Sequence, residues 1–141
     1  MSHILPSQIL YLEHGDARLY AEAIQVTEAR HLCWARPMLL VKGLSDAPGM
    51  RQQAITTAVV SLEGSPLELY DLCDAPDLIW PAELFQIAID VDCFSLLVHL
   101  KLHPASEQRL NLRPFNLFVS SFWRTHAESF QSISAAPSSK L

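Results

Sequence analysis

Only four of the 141 residues are glycine, and none stands in a G-x-x-x-x-G-K-[ST], G-x-G-x-x-G or G-x-S-x-G pattern. Phosphate-cradling loops and hydrolase nucleophile elbows need glycine there, because the backbone must turn sharply or approach the ligand closely. Cysteine is equally scarce. Cys33, Cys73 and Cys93 are an odd number at wide spacing, with no C-x-x-C. That argues against a disulfide framework and for reduced thiols in a cytoplasmic setting. Charge is thin as well, at 18% of residues, with 15 acidic and 10 basic side chains and a net charge of -5. The basic residues are scattered, so the chain is not expected to bind nucleic acid, which requires clustered Lys and Arg. No apolar run approaches the ~18–20 residues of a membrane span. Met1–Pro6 carries no basic segment leading into an apolar run, so no secretory signal is expected. There is no H-E-x-x-H motif.

What is present is apolar. Half of the chain is hydrophobic, too much for a disordered polypeptide. At this length one domain with a full core is expected without metal or disulfide staples. We assign residues 1–129 to that domain. The Ser-, Ala- and Pro-rich residues 130–141 read as a flexible tail.

Two strand-like runs, Leu19–Val26 and Leu32–Val41, flank the polar segment Thr27-Glu-Ala-Arg30 and predict a hairpin with a four-residue loop. The apolar phase changes near Ala23–Ile24, which predicts a bulge there. A helix over Asp16–Arg30 is the rival reading, since Ala and Glu are good helix formers. Pro37 predicts an edge or a bulge in the second strand. The β-branched run Ile55–Leu62 predicts a third strand. Leu67–Leu72 and Leu78–Trp80 follow as strands, and Pro81 opens one helical turn. Alternation over Phe85–Val91 predicts a strand; it continues through Phe94, Leu96, Val98, Leu100 and Leu102, which on its own reads as a hairpin turning at Asp92-Cys93, while an Asp92 cap and a stop at Pro104 favour a helix over 92–103. Phe115, Phe118, Val119, Phe122 and Trp123 lie near helical spacing after Arg113-Pro114. The fold class is therefore α+β: five or six antiparallel strands in a small barrel or a strongly twisted sheet, with C-terminal helices. The expected core is Leu19, Ile24, Val26, Trp34, Leu39, Val59, Leu69, Leu72, Ile79, Phe85 and Ile89.

Chemistry-bearing clusters are few. His99 and His103 are four apart, so a helix would put both imidazoles on one face toward a metal ion, with Cys93 upstream. No third ligand stands at a diagnostic distance, and the plainer reading is two polar residues on a solvated face. Asp71, Asp74, Asp77, Asp90 and Asp92 could serve acid–base work or bind calcium. Asp is also favoured at turns and caps for its own backbone hydrogen bonds. No catalytic residue and no cofactor is assigned. The most distinctive side chains are Trp34, Arg36, Tyr70 and Trp80, a composition shared by cores and binding surfaces.

The segments Arg18-Leu-Tyr-Ala-Glu-Ala-Ile-Gln-Val26, Leu32-Cys-Trp-Ala-Arg-Pro37, Leu69-Tyr-Asp-Leu72 and Asp77-Leu-Ile-Trp-Pro-Ala-Glu-Leu-Phe85 resemble a set of short cyanobacterial proteins of uncharacterised activity. The resemblance spans roughly residues 10 to 100 and implies a cyanobacterial, cytoplasmic protein with no catalytic residue carried over. The leading expectation is a non-catalytic protein-binding or adaptor module that uses an aromatic and Arg sheet surface. The alternatives are an enzyme using His99, His103 and nearby Asp residues with a small ligand or metal, and peripheral membrane attachment through Pro114–Trp123. A homodimer is compatible with a Pro-bearing edge and an apolar terminal helix.

Overall fold

The computed structural model describes residues 4–45, 47, 49–61, 65–102 and 112–131. Its strands are β1 (Ile9–His14), β2 (Ala17–Thr27), β3 (Leu32–Lys42), β4 (Glu68–Asp71), β5 (Leu78–Pro81) and β6 (Gln86–Ile87). Its helices include α1 (Met50–Val60), α2 (Asp90–Leu102) and α3 (Arg113–Thr125), with a 3-10 turn at Ala82–Leu84, and residues 127–131 are also helical. The chain is α+β, with one antiparallel sheet in the order β4-β3-β2-β1-β6 and β5 also paired to β3. The sheet is open, so of the two expected forms the barrel is not the one adopted.

The first hairpin turns through Gly15-Asp16, with His14 paired to Ala17. Gly15 takes a φ of 60° there, a left-handed conformation that glycine enters without steric cost. The second hairpin is the one read from the sequence, closed by a four-residue loop between Thr27 and Leu32. The bulge anticipated near Ala23–Ile24 lies between Ala23 and Gln25. A second register shift, opposite Tyr20 and Ala21, leaves Met38 outside the ladder beside Pro37. The outer side of β3 explains how Pro37 is accommodated. β4 pairs with Leu39–Lys42 and β5 with Leu32–Ala35. Pro37 falls in the gap between them, where its missing N–H costs no ladder bond.

Both faces of the sheet carry a core. One comprises Leu10, Leu12, Leu19, Ala21, Ala35, Leu40, Leu72 and Trp80, covered by Phe115, Phe118 and Phe122 of α3 and by Phe130. The other comprises Ile9, Tyr20, Leu39, Val41 and Leu69, covered by Ile55 and Ala58 of α1 and by Cys93, Leu96 and Leu100 of α2. Phe130, placed in the tail by its composition, is thus a core residue; the rest of that tail from 132 onward lies outside the described residues.

Three expectations are corrected. Ile55–Leu62 does not form a strand: Met50–Val60 is helical. Its buried residues Ile55 and Ala58 are three apart, with half-buried Val59 beside them, which is helix spacing. The upstream Arg51-Gln52-Gln53-Ala54 favours helix strongly enough to override the β-branched tail. The strand at Phe85–Val91 shrinks to Gln86–Ile87, paired with Leu10 and Tyr11 of β1. Asp92 is not the cap of α2, because the helix already begins at Asp90 and both carboxylates lie in its first turn, where the helix dipole favours negative charge.

The expected core splits accordingly. Leu19, Leu39, Leu69, Leu72 and Phe85 are buried; Ile24, Val26 and Val59 are half-buried; Trp34, Ile79 and Ile89 are exposed. The β2 bulge, the helical phase of α1, the open half of one sheet face and the early start of α2 account for the residues that are not buried.

Candidate functional site

α1 and α2 cover only part of their sheet face. The remaining part is built from the second half of β2, the first half of β3, and β5. Strand alternation sends Cys33, Ala35 and Pro37 inward, and Trp34 and Arg36 outward. Trp34 is 36% exposed and its register partner across β3–β5, Ile79, is 62% exposed. The Trp34 indole Nε1 donates to Asp77 Oδ2 at 2.8 Å. Arg36 Nε lies 3.5 Å from Asp77 Oδ1, and its side chain is 55% exposed. Glu22 is the β2 partner of Arg36. One carboxylate therefore pins both an indole and a guanidinium on a mixed apolar and charged patch that the described residues leave exposed.

Of the four side chains singled out from the sequence, the fold joins Trp34 and Arg36 and separates the other two. Tyr70 is 8% exposed and donates to Glu68 Oε2 at 3.2 Å. Trp80 is 5% exposed and stacks on Phe122 with ring centroids 5.3 Å apart. Both belong to the core beneath α3. Asp77 and Ile79, read as a turn residue and a core residue, take their places on the surface patch.

Of the histidine pair, His99 alone lies among the described residues. His99 Nε2 bonds the carbonyl oxygen of Val59 at 2.9 Å, satisfying one of the carbonyls left open at the end of α1. His103 lies outside the described residues. Among the described residues no group of three His, Cys, Asp or Glu is placed to hold a metal ion. Asp71 accepts from the backbone N–H of Cys73 at 2.9 Å, the local turn bond that favours Asp in such positions. The apolar face of α3 is turned onto the sheet through Phe115, Phe118 and Phe122, while Leu117 and Trp123 of the segment considered for membrane attachment are exposed. No helix among the described residues is long and apolar enough to cross a membrane.

A second cluster, of which only Asp92 is among the candidates read from the sequence, is buried under α1 and α2. Arg18 is 5% exposed and Asp92 7%. The Arg18 guanidinium meets Glu13 Oε2 through Nε at 2.7 Å and Nη2 at 2.6 Å. Its Nη1 donates to the Tyr20 hydroxyl and to Gln52 Oε1, each at 3.2 Å. Gln52 Nε2 in turn donates to Asp92 Oδ2 at 2.8 Å. The guanidinium also lies over the Tyr11 ring, 4.1 Å from its centroid, within cation–π range. Burial acts to lower the Arg18 pKa, but the contacts with Tyr20 and Glu13 outweigh it and leave the pKa above its ordinary value. The cluster bonds sheet to helix and helix to helix. Its geometry is that of a structural tie.

Three buried groups make the fold sensitive to alkali. Burial pushes the Tyr20 hydroxyl from 10.0 to about 12, the Cys33 thiol from 9.0 to about 11 and the Cys93 thiol from 9.0 to about 12. Below the ordinary values these groups are protonated in folded and unfolded chains alike, and their contribution is fully present. Above them the unfolded chain loses protons that the folded chain keeps. Stability then falls with rising pH, by about 1.4 kcal/mol per pH unit for each group within its window. Thermal melting followed by circular dichroism should show a decline that begins near pH 9 and steepens toward pH 11. A melting temperature that stays flat to pH 11 would show that the thiols ionise in place.

Comparison of the chain with protein-family models, with curated proteins and with solved structures finds no match.

Proposed function

We propose that the protein is a non-catalytic binding module that captures a protein partner on the open half of its sheet. The observation that carries this reading is the exposed Trp34–Ile79 pair held beside Arg36 by Asp77. Trp and Arg are the side chains most enriched among residues that dominate binding energy. An indole already fixed by a hydrogen bond gives up little rotamer freedom on association, so contact area converts to affinity efficiently. The Arg36–Asp77 ion pair is solvent-exposed, a class worth about 0–1 kcal/mol to the fold, so its value lies in orienting the patch. Three unpaired thiols fit a reducing, cytoplasmic compartment, and the segment resemblance directs the search for a partner to a cyanobacterial lysate.

Affinity capture from such a lysate tests the reading. Trp34→Ala combined with Ile79→Ser should weaken capture by about 2 kcal/mol or more, roughly thirtyfold. Arg36→Ala should weaken it in the same direction. Ile79→Ser and Arg36→Ala alone should leave the melting temperature near that of the unaltered protein, because both side chains are more than half exposed, whereas Trp34→Ala should lower it, since about two-thirds of the indole is covered. Undiminished capture by the double variant would remove the patch from the binding surface.

A further inference from the structure

Helix α2 is apolar on two sides. Its inner side, Cys93, Leu96 and Leu100, is buried against the sheet and α1. Its outer side exposes Val91 (60%), Phe94 (48%), Val98 (54%) and Leu102 (68%). These four lie at spacings of three, four and four, which form a single stripe along a helix. The stripe borders a shallow groove of about 280 Å³ lined by Val59, Phe94, Ser95, Val98 and His99. Val60, 81% exposed, adds to the apolar surface at the end of α1.

The charges at the ends of α2 select the occupant. Asp90 and Lys101 are exposed at its two ends, and the one carboxylate between them, Asp92, is buried. Eleven residues at 100° each bring Asp90 and Lys101 back to within about 20° of one another, so both lie on the same flank of the stripe. A two-fold axis perpendicular to a pair of antiparallel helices keeps a flank on its own side while reversing the helix direction. Asp90 of one copy then meets Lys101 of the other, twice. The same operation sets Phe94 against the partner copy's Val98 and lets each aromatic ring enter the other copy's groove. A parallel pair would place the two charged flanks on opposite sides and gain neither ion pair. Antiparallel helix dipoles add in the same sense.

We infer that the outer face of α2 is a self-complementary interface on which a second copy of this chain docks antiparallel, an isologous contact separate from the sheet patch. Sedimentation velocity on the full chain across a wide concentration range should show a reversible dimer. Val98→Glu brings like charges together near the axis and should weaken the dimer about tenfold or more, with no loss of thermal stability, since Val98 is exposed. Asp90→Lys and Lys101→Asp should each weaken it, and the double exchange should restore it. That rescue depends on the antiparallel register and is not expected of nonspecific apolar association. Three results would overturn the inference: a monomer at all concentrations, a dimer indifferent to Val98→Glu, or a monomer whose melting temperature falls on Val98→Glu. The last would show that another segment of the same chain covers the stripe.

Discussion

Replacing Arg18 by alanine is expected to cost about 3–5 kcal/mol, a large part of the stability of a domain this size. The guanidinium is the hub of the buried cluster. It accepts nothing, and its donors reach Glu13, Tyr20 and Gln52. Removing it leaves the Glu13 carboxylate with only the longer, 4.0 Å ion pair to Arg51 and Gln52 with an unmet acceptor. It also takes the cation from above the Tyr11 ring. The loss comes from what is stranded, so the effects should not add. Glu13→Gln in the Arg18→Ala background should cost far less than Glu13→Gln alone, the coupling signature of a shared network. Urea denaturation of the single and double variants measures this. A loss below about 1 kcal/mol for Arg18→Ala would mean that water replaces the guanidinium readily and that the cluster is not sealed.

The second large effect is expected at Phe122. This ring is 2% exposed and is the centre of the packing under α3. It stacks on Trp80 at 5.3 Å, on Phe118 at 5.8 Å and on the His126 imidazole at 4.1 Å, with the His14 ring at 6.4 Å. Phe122→Ala should cost about 3–5 kcal/mol through lost transfer energy and the cavity left behind. Leu117, on the opposite side of the same helix and 55% exposed, should tolerate alanine within about 0.5 kcal/mol. If the two variants melt alike, α3 does not close that face of the sheet.

Why some of this is legible in the amino-acid sequence and some is not follows from the physical origin of each signal. α3 is readable because its apolar residues fall on one side and Pro114 marks its start, both local facts. The β2–β3 hairpin is readable for the same reason, including the bulge, which appears as a phase change in the apolar pattern. β1 carries a signal of that kind too: Gly15-Asp16 between Ile9–Leu12 and Leu19–Ala21 is a two-residue turn between apolar runs. α1 misleads because Thr56, Thr57 and Val60 are exposed and so report nothing about packing. Only the spacing of Ile55 and Ala58 does.

The surface patch divides along the same line. Trp34 and Arg36 share a face because they are two apart in one strand. Trp80 and Ile79 are neighbours in a strand, so one must face in when the other faces out. Trp80 faces in, held against Phe122. Asp77 is adjacent to Trp34 only because β5 pairs with β3, a long-range contact without a local mark. The Arg18 cluster gathers Glu13, Tyr20, Gln52 and Asp92 from four elements and leaves no trace in any short window of sequence.

We have proposed that a protein partner docks on the half-sheet around Trp34. Site-specific photo-crosslinking from position 79 in living cells tests this. A photoreactive side chain replacing Ile79, on a patch strand beside Trp34, should yield a discrete adduct with another polypeptide, and that adduct should disappear when Trp34→Ala is added. No adduct from position 79, or one that persists unchanged without the indole, would contradict the claim.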